Sequence, residues 1–206
     1  MIAIIDYDAG NIKSVEKAIA ALGEKAVLTR EPEQIYAAEK VILPGVGSFG
    51  DAMEKLNRYG LVEVIKKVVE NKTPFLGICL GLQLLFERSD EGEGVDGLGI
   101  LEGEILRIPD TPGLKIPHIG WNSLNFPREG RLFKGLEENS YVYFVHSYYL
   151  KAKDASIVTA TTDYGTLIHA SVEKDNVFAC QFHPEKSSDV GLTILKNFLS
   201  IGKEEN

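Results

Sequence analysis

Cysteine is scarce in this chain. There are two, Cys79 and Cys180, in 206 residues. They lie far apart and follow no disulfide-framework spacing, so a reduced, cytoplasmic setting is expected. Positive charge is also short. Lys and Arg total 22 against 30 Asp and Glu, a net charge of -8. The basic residues are scattered and form no tract, which argues against nucleic-acid binding. No apolar run is long enough to cross a bilayer, so no membrane partner is expected. The opening "MIAIIDYDAG" has no basic region before its apolar stretch and no cleavage pattern, and so does not read as a signal peptide. Two cysteines and four histidines could in principle hold zinc. No C-x-x-C, H-x-x-x-H or H-E-x-x-H spacing occurs, and no metal or other cofactor is expected. Repeats, low-complexity segments and linkers are absent as well.

What is present is a chain with 44% hydrophobic residues, enough for one sizeable core and a single domain over residues 1–206. "IAII" at 2–5 reads as a short buried strand. Ile12, Val15, Ile19 and Leu22 then recur at helical spacing, and Gly23 ends that helix. "KAVLT" and "KVILPG" read as the second and third strands. Residues 51–72 carry helical patterning with a break near Tyr59-Gly60. "PFLGI" is the next strand, and "LGLQLLFERS" reads as a helix directly after it. Continuous apolar strands alternating with helices indicate a parallel sheet covered on both faces. Further on, "EGEILRI", "YVYFVHSYYL", "SIVTATT", "TLIHASVE" and "VFACQF" are rich in β-branched and aromatic residues. They predict an antiparallel or mixed extension of the sheet. A last helix is expected over about Asp189–Leu199, followed by a frayed tail, "GKEEN".

"GICLG" at 77–81 is the cysteine form of the G-x-S-x-G nucleophile elbow. A nucleophile on a sharp strand-to-helix turn has a cramped backbone. Gly77 and Gly81 remove side chains that would collide there. The thiol then stands at a helix N-terminus, where free N–H groups favour the thiolate and the Leu80 N–H is placed for an oxyanion. The plain alternative is a buried cysteine beside glycines used for helix–sheet packing.

A reactive cysteine needs a base. In "FACQFHPEKS", Pro184 should stop a strand and leave His183 and Glu185 on a loop, two positions apart. A carboxylate on the far ring nitrogen would set the tautomer and stabilise an imidazolium. A surface loop with an incidental charge is the bland alternative. "VILPGVGSFGDAM" at 41–53 is a second strand followed by a glycine loop. It lacks G-K-[ST], and its "GVGSFG" has no obvious acidic partner about twenty residues on, so phosphate binding is a weak reading. N–H groups near Val46 and Gly47 facing Cys79 suit it better. Gly45, Gly47 and Gly50 would also let a peptide there turn over. A plain flexible loop is the competing reading.

Taken in order, "PGVGSFG", "LGICLGLQLLF" and "QFHPEKS" resemble the class I (triad) glutamine amidotransferases. With "DYDAGNIKSV", "IPHIGWN" and "HPEKSS", the chain more narrowly resembles the glutaminase subunits of imidazole glycerol phosphate synthase. The resemblance covers essentially the whole chain. It implies a flavodoxin-like α/β three-layer sandwich with a mixed, mostly parallel central sheet. It implies Cys79 as nucleophile, His183 as general acid/base and Glu185 as its orienting residue. An oxyanion site at Gly45, Val46, Gly47 and Leu80 belongs with them. L-glutamine is placed against Gly47, Gln83, Glu91 and the backbone of His146, Ser147 and Tyr148. Gln83 lies at i+4 from Cys79 and so shares its helical face. Glu91 could pair with an α-ammonium, although its acidic surroundings also allow a merely solvated role. The implied partner is a (β/α)₈-barrel cyclase subunit that uses the ammonia in histidine biosynthesis, met by Asn11, Trp121, Tyr143 and Lys186. An aromatic residue with one polar group suits an interface, and a core tryptophan is the alternative. Three rivals stand beside this reading: a glutaminase serving another synthase, a cysteine peptidase or related stress protein on a similar elbow, and a non-enzymatic module that keeps the fold.

Overall fold

The structure is a computed structural model that describes residues 1–10 and 12–202. In chain order its elements are β1 (Ile2–Ile5), α1 (Ile12–Ala21), β2 (Ala26–Thr29), α2 (Pro32–Tyr36), β3 (Lys40–Leu43), α3 (Phe49–Arg58), α4 (Leu61–Glu70), β4 (Phe75–Ile78) and α5 (Leu80–Leu84). There follow β5 (Arg88–Ser89), β6 (Gly103–Arg107), β7 (His118–Ser123), β8 (Tyr141–His146), β9 (Tyr148–Ala152), β10 (Val158–Asp163), β11 (Leu167–Lys174), β12 (Val177–Cys180) and α6 (Ser188–Ser200).

Seven strands form the main sheet in the order β10-β11-β12-β4-β3-β1-β2. The five from β12 to β2 are parallel, and β10 and β11 extend the sheet antiparallel. The parallel strands are four residues each, and β1, β3, β4 and β12 are buried at every position. That explains their almost wholly apolar text, broken only by Lys40 at the start of β3: both faces of each strand are covered. Alternation then sorts the side chains. Ala3, Ile5, Val41, Leu43 and Phe75 join the core under α3, α4 and α5. Ile2, Ile4, Ile42, Leu76 and Ile78 join the opposite core under α1 and α6. The three layers and the mostly parallel mixed sheet agree with the expected flavodoxin-like sandwich. The break between the two middle helices falls at Gly60, whose φ is +65°.

Two expectations need correcting. The helix expected over residues 80–89 ends at Leu84, and Arg88–Ser89 is a strand. The reason is non-local. The segment 97–101 takes the carbonyls that would have continued the helix: Leu98 N–H donates to Leu84 O at 2.8 Å, Gly97 N–H to Glu87 O at 2.8 Å and Ile100 N–H to Leu85 O at 2.9 Å. A Cβ at Gly97 would collide with the Phe86 carbonyl, so only glycine permits that approach. The second correction concerns the later strands. Only β10, β11 and β12 extend the main sheet. β6 joins β5 and β9 in a three-stranded sheet, and β8 pairs with β7, an unanticipated strand, in a two-stranded ribbon.

Candidate active site

β4 and β12 lie side by side at the middle of the sheet, and both end at the same edge. Cys79 follows β4, and His183 follows β12 by three residues. Adjacent parallel strands therefore deliver two side chains from distant parts of the chain to one place. The Cys79 backbone adopts φ 55° and ψ -109°, an outlying conformation for a residue with a side chain. The glycines on either side show why it is tolerated. A Cβ on Gly77 would stand 2.6 Å from the Gly81 carbonyl oxygen, and one on Gly81 would collide with the Leu43 carbonyl. The turn folds back on itself and against β3 at backbone distance, as the elbow reading requires.

His183 is buried, and its Nδ1 lies 2.7 Å from Glu185 Oε1. The carboxylate can only accept, so Nδ1 carries the proton and Nε2 is left to face Cys79. Burial alone would lower the imidazole pKa. Hydrogen-bonding and charge influences of Cys79 and Glu185 outweigh it and raise the value well above the usual histidine range. Nε2 makes no hydrogen bond of ordinary geometry, and neither does Glu185 Oε2. The Cys79 influence is therefore the proximity of an ionisable sulfur, without a formed bond. Buried polar atoms left unpaired are rare, and two of them belong to this one histidine–carboxylate pair.

Cys79 and His183 open onto one cleft of about 310 Å³. Val46, Gly47 and Leu80 line one side of it, and His146, Ser147 and Tyr148 another, with Gln83 and Glu91 also in the wall. A larger hollow of about 780 Å³ around Phe126 and Glu138 has no cysteine or histidine in its lining. Among the described residues no cluster of His, Cys, Asp or Glu is arranged to hold a metal ion, and no helix is long and apolar enough to cross a membrane.

The sequence profile of the family described as "Glutamine amidotransferase class-I" matches residues 3–201. The chain belongs to the class-I glutamine amidotransferase family. Similar relatives carry the name "Imidazole glycerol phosphate synthase subunit HisH". That of Moorella thermoacetica is 53% identical, over 96% of this chain and 93% of its own length. That of Methanocaldococcus jannaschii is 48% identical, over 98% and 100%. A solved structure titled as a glutamine amidotransferase superposes with a TM-score of 0.74 at 22% identity, over 96% of this chain and 99% of that one. It shares the fold.

In this class-I amidotransferase the expected oxyanion donor at Leu80 is engaged. Its N–H donates to Gly45 O, though at a long 3.3 Å. Carbonyl and N–H point opposite ways across a trans peptide, so the Val46 N–H is directed away from Leu80. The loop is held from behind by Tyr7, whose hydroxyl donates to Pro44 O at 2.8 Å. Gln83 is buried, and its Nε2 donates to Tyr148 O and to Gln181 Oε1, each at 3.0 Å. Glu91 is more than a solvated acid: its Oε2 accepts the Phe49 N–H at 2.9 Å. The His146 imidazole is occupied structurally. Nδ1 donates to Tyr148 O at 2.8 Å, and Nε2 lies 3.0 Å from His118 Nδ1. Burial lowers the pKa of His146 to about 3 and that of His118 to about 4.

Of the expected partner-facing residues, Trp121 is 52% exposed, which removes the core alternative. It faces Tyr143 edge-on across the β7–β8 ribbon, ring centroids 6.2 Å apart. Lys186 is exposed beside the triad loop. Asn11 lies outside the described residues. Sequence reasoning missed Tyr7 and gave Gln181 no role; both act through contacts distant in sequence.

Proposed function

We propose that this chain hydrolyses the side-chain amide of glutamine as the glutaminase subunit of imidazole glycerol phosphate synthase. The reading rests on one observation: Cys79 and His183, the latter bonded to Glu185 behind it, share a cleft large enough for an amino acid. The raised pKa of His183 keeps its imidazole charged beside the sulfur, ready to support a thiolate and to give up a proton. The thiolate attacks the amide carbon. The imidazolium gives its proton to the departing ammonia, leaving a thioester and a neutral imidazole. That imidazole takes a proton from water, the hydroxide attacks the thioester, and glutamate leaves with the thiol restored. Glu185 keeps the tautomer correct throughout.

Gly45, Val46, Gly47 and Leu80 supply the oxyanion site once the Gly45 carbonyl releases the Leu80 N–H. Gly47, Gln83, Glu91 and the strand end His146–Ser147–Tyr148 hold the substrate. Gln83 has both amide hydrogens in use, so it presents its oxygen. Residues 1–206 act as one domain in the cytoplasm. The partner is a (β/α)₈-barrel cyclase that consumes the ammonia in histidine biosynthesis, docked on Asn11, Trp121, Tyr143 and Lys186. The names of the relatives support the synthase assignment, and the exposed ribbon supports the docking face.

Cys79→Ala in the reconstituted complex tests the proposal. Synthesis driven by glutamine should vanish while synthesis from added ammonia persists. Retained glutamine use would end the nucleophile assignment.

A further inference from the structure

Gln181 is the residue after β12 and is fully buried, although an amide side chain has several polar positions to satisfy. Buried polar atoms without partners cost stability, so each needs an account. The Gln181 backbone N–H donates to Ala170 O at 2.8 Å. Its Oε1 accepts from Gln83 Nε2 at 3.0 Å. Its Nε2 lies 3.7 Å from Cys79 Sγ, within the reach of a hydrogen bond to the large sulfur atom.

An amide can swap its oxygen and nitrogen with little change of shape, so direction must come from the neighbours. Here it does. Tyr148 O is a carbonyl and can only accept. The end of the Gln83 amide 3.0 Å away must then be nitrogen. That same nitrogen faces Gln181 and requires an oxygen there. The nitrogen of Gln181 is left pointing at the sulfur. One backbone carbonyl thus dictates, through two amides, that Cys79 meets a donor.

We propose that Gln181 is a positioning residue of this active site, whose N–H holds the Cys79 sulfur and favours its thiolate in a direction set by the Tyr148 carbonyl through Gln83. The inference rests on Cys79 being the nucleophile. Tyr148 also belongs to the strand end assigned to the substrate, so one backbone segment orients both reactants.

The other titratable groups near the sulfur differ in kind. Tyr7, after β1, is pushed above the usual phenol range by burial and by the charge of Cys79. Cys180, at the end of β12, is pushed well up by burial and by Glu185 and Cys79. His183 with Glu185 faces the sulfur from the loop after β12, and His146 and Glu91 belong to the same cleft. His183 gives its help only while protonated. The Gln181 amide donates at every pH.

The test is the pH profile of Cys79 alkylation by iodoacetamide, read by mass spectrometry of the peptide that carries it, with melting temperature measured in parallel. Gln181→Met removes the donor. Gln181→Glu keeps the shape and the oxygen that Gln83 needs, and serves if the Met variant does not fold. The alkylation midpoint should rise by about one pH unit in Gln181→Met, the value of one hydrogen bond to a charged group, and further in Gln181→Glu. Glutaminase kcat should fall about tenfold, with KM changed by less than about threefold. A native midpoint in a folded variant overturns the proposal, even where activity falls. That result leaves the nucleophile assignment standing if Cys79→Ala is inactive with glutamine; an active Cys79→Ala overturns both.

Discussion

Two glycine-bearing turns meet on one wall of the cleft, and they are built on different terms. At the elbow, backbone presses on backbone. Gly77 and Gly81 have no room for a methyl group, and the outlying φ of Cys79 follows from that crowding. At the loop after β3, Gly47 has φ +104° and nothing within 4 Å of where a Cβ would stand. The base of this loop is packed, since a Cβ on Gly45 would stand 2.5 Å from the Tyr7 hydroxyl and 2.9 Å from Leu80 Cβ; beyond that its link to the elbow is one long hydrogen bond, from Leu80 N–H to Gly45 O at 3.3 Å. The sulfur is placed by steric compulsion, which leaves no alternative. The Leu80 N–H is engaged by a bond of about 1 kcal/mol at most, which differential binding of a ligand is large enough to outweigh. The position of the Cys79 sulfur is thus fixed by sterics, while the engagement of the Leu80 N–H rests on one hydrogen bond.

The sharpest way to break this contrast is to add one methyl group to each turn. Gly81→Ala should have the largest effect. The new carbon meets the Leu43 carbonyl, which β3 cannot withdraw, and the cost should be at least about 3 kcal/mol. Differential scanning calorimetry should show a melting temperature lower by about 10 °C, or no folded protein. A native-like transition would mean the elbow has slack. Gly47→Ala should fold normally, because space is free. Its penalty is conformational, about 1–2 kcal/mol against the left-handed form seen here. The loop should therefore leave this form more often. If the proposed release of the Leu80 N–H makes the productive form, the isolated chain should turn over glutamine up to about tenfold faster. An unchanged or slower basal rate would mean that the left-handed residue serves the productive form.

The smallest effect tests the wall that carries Tyr148. His146 and His118 are buried neutral, with values lowered to about 3 and about 4. The unfolded chain binds protons that the folded chain refuses. Stability should then fall as pH drops through the ordinary histidine range, about 6.5, towards about 4. Urea unfolding across that interval should show this slope, and His118→Gln should reduce it by up to about 1.4 kcal/mol per pH unit. His183 has the opposite sign. Its raised value gives a contribution that is complete below about 6.5 and lost only as alkaline pH passes the folded value.

Legibility in the sequence followed the range of the forces. The elbow could be read from five residues because its crowding is local, and the His183–Glu185 pair could be read from two. The parallel strands were evident because burial on both faces demands almost wholly apolar text. Helix α5 was misjudged in length because its end is set by Gly97–Leu101, not by its own residues. β7 was unanticipated because its identity depends on pairing with β8 across a long excursion. The engaged Leu80 N–H and the Gln181 amide belong to the same class. Each depends on a neighbour brought close only by the completed sheet, as when Gln181 meets Cys79 across 102 positions of chain.

The ribbon of β7 and β8 has a further consequence. Its outer side shows Trp121 and Ile119 to solvent, while Tyr143, opposite Trp121, is bonded to the loop that bears the imidazole. His183 N–H donates to Tyr143 O, and Tyr143 N–H donates to Ser187 Oγ, each at 3.0 Å. The handle and the machinery are one strand thick. A contact made on the indole would therefore stand one strand away from the hydrogen bonds that hold His183, with no intervening layer of protein.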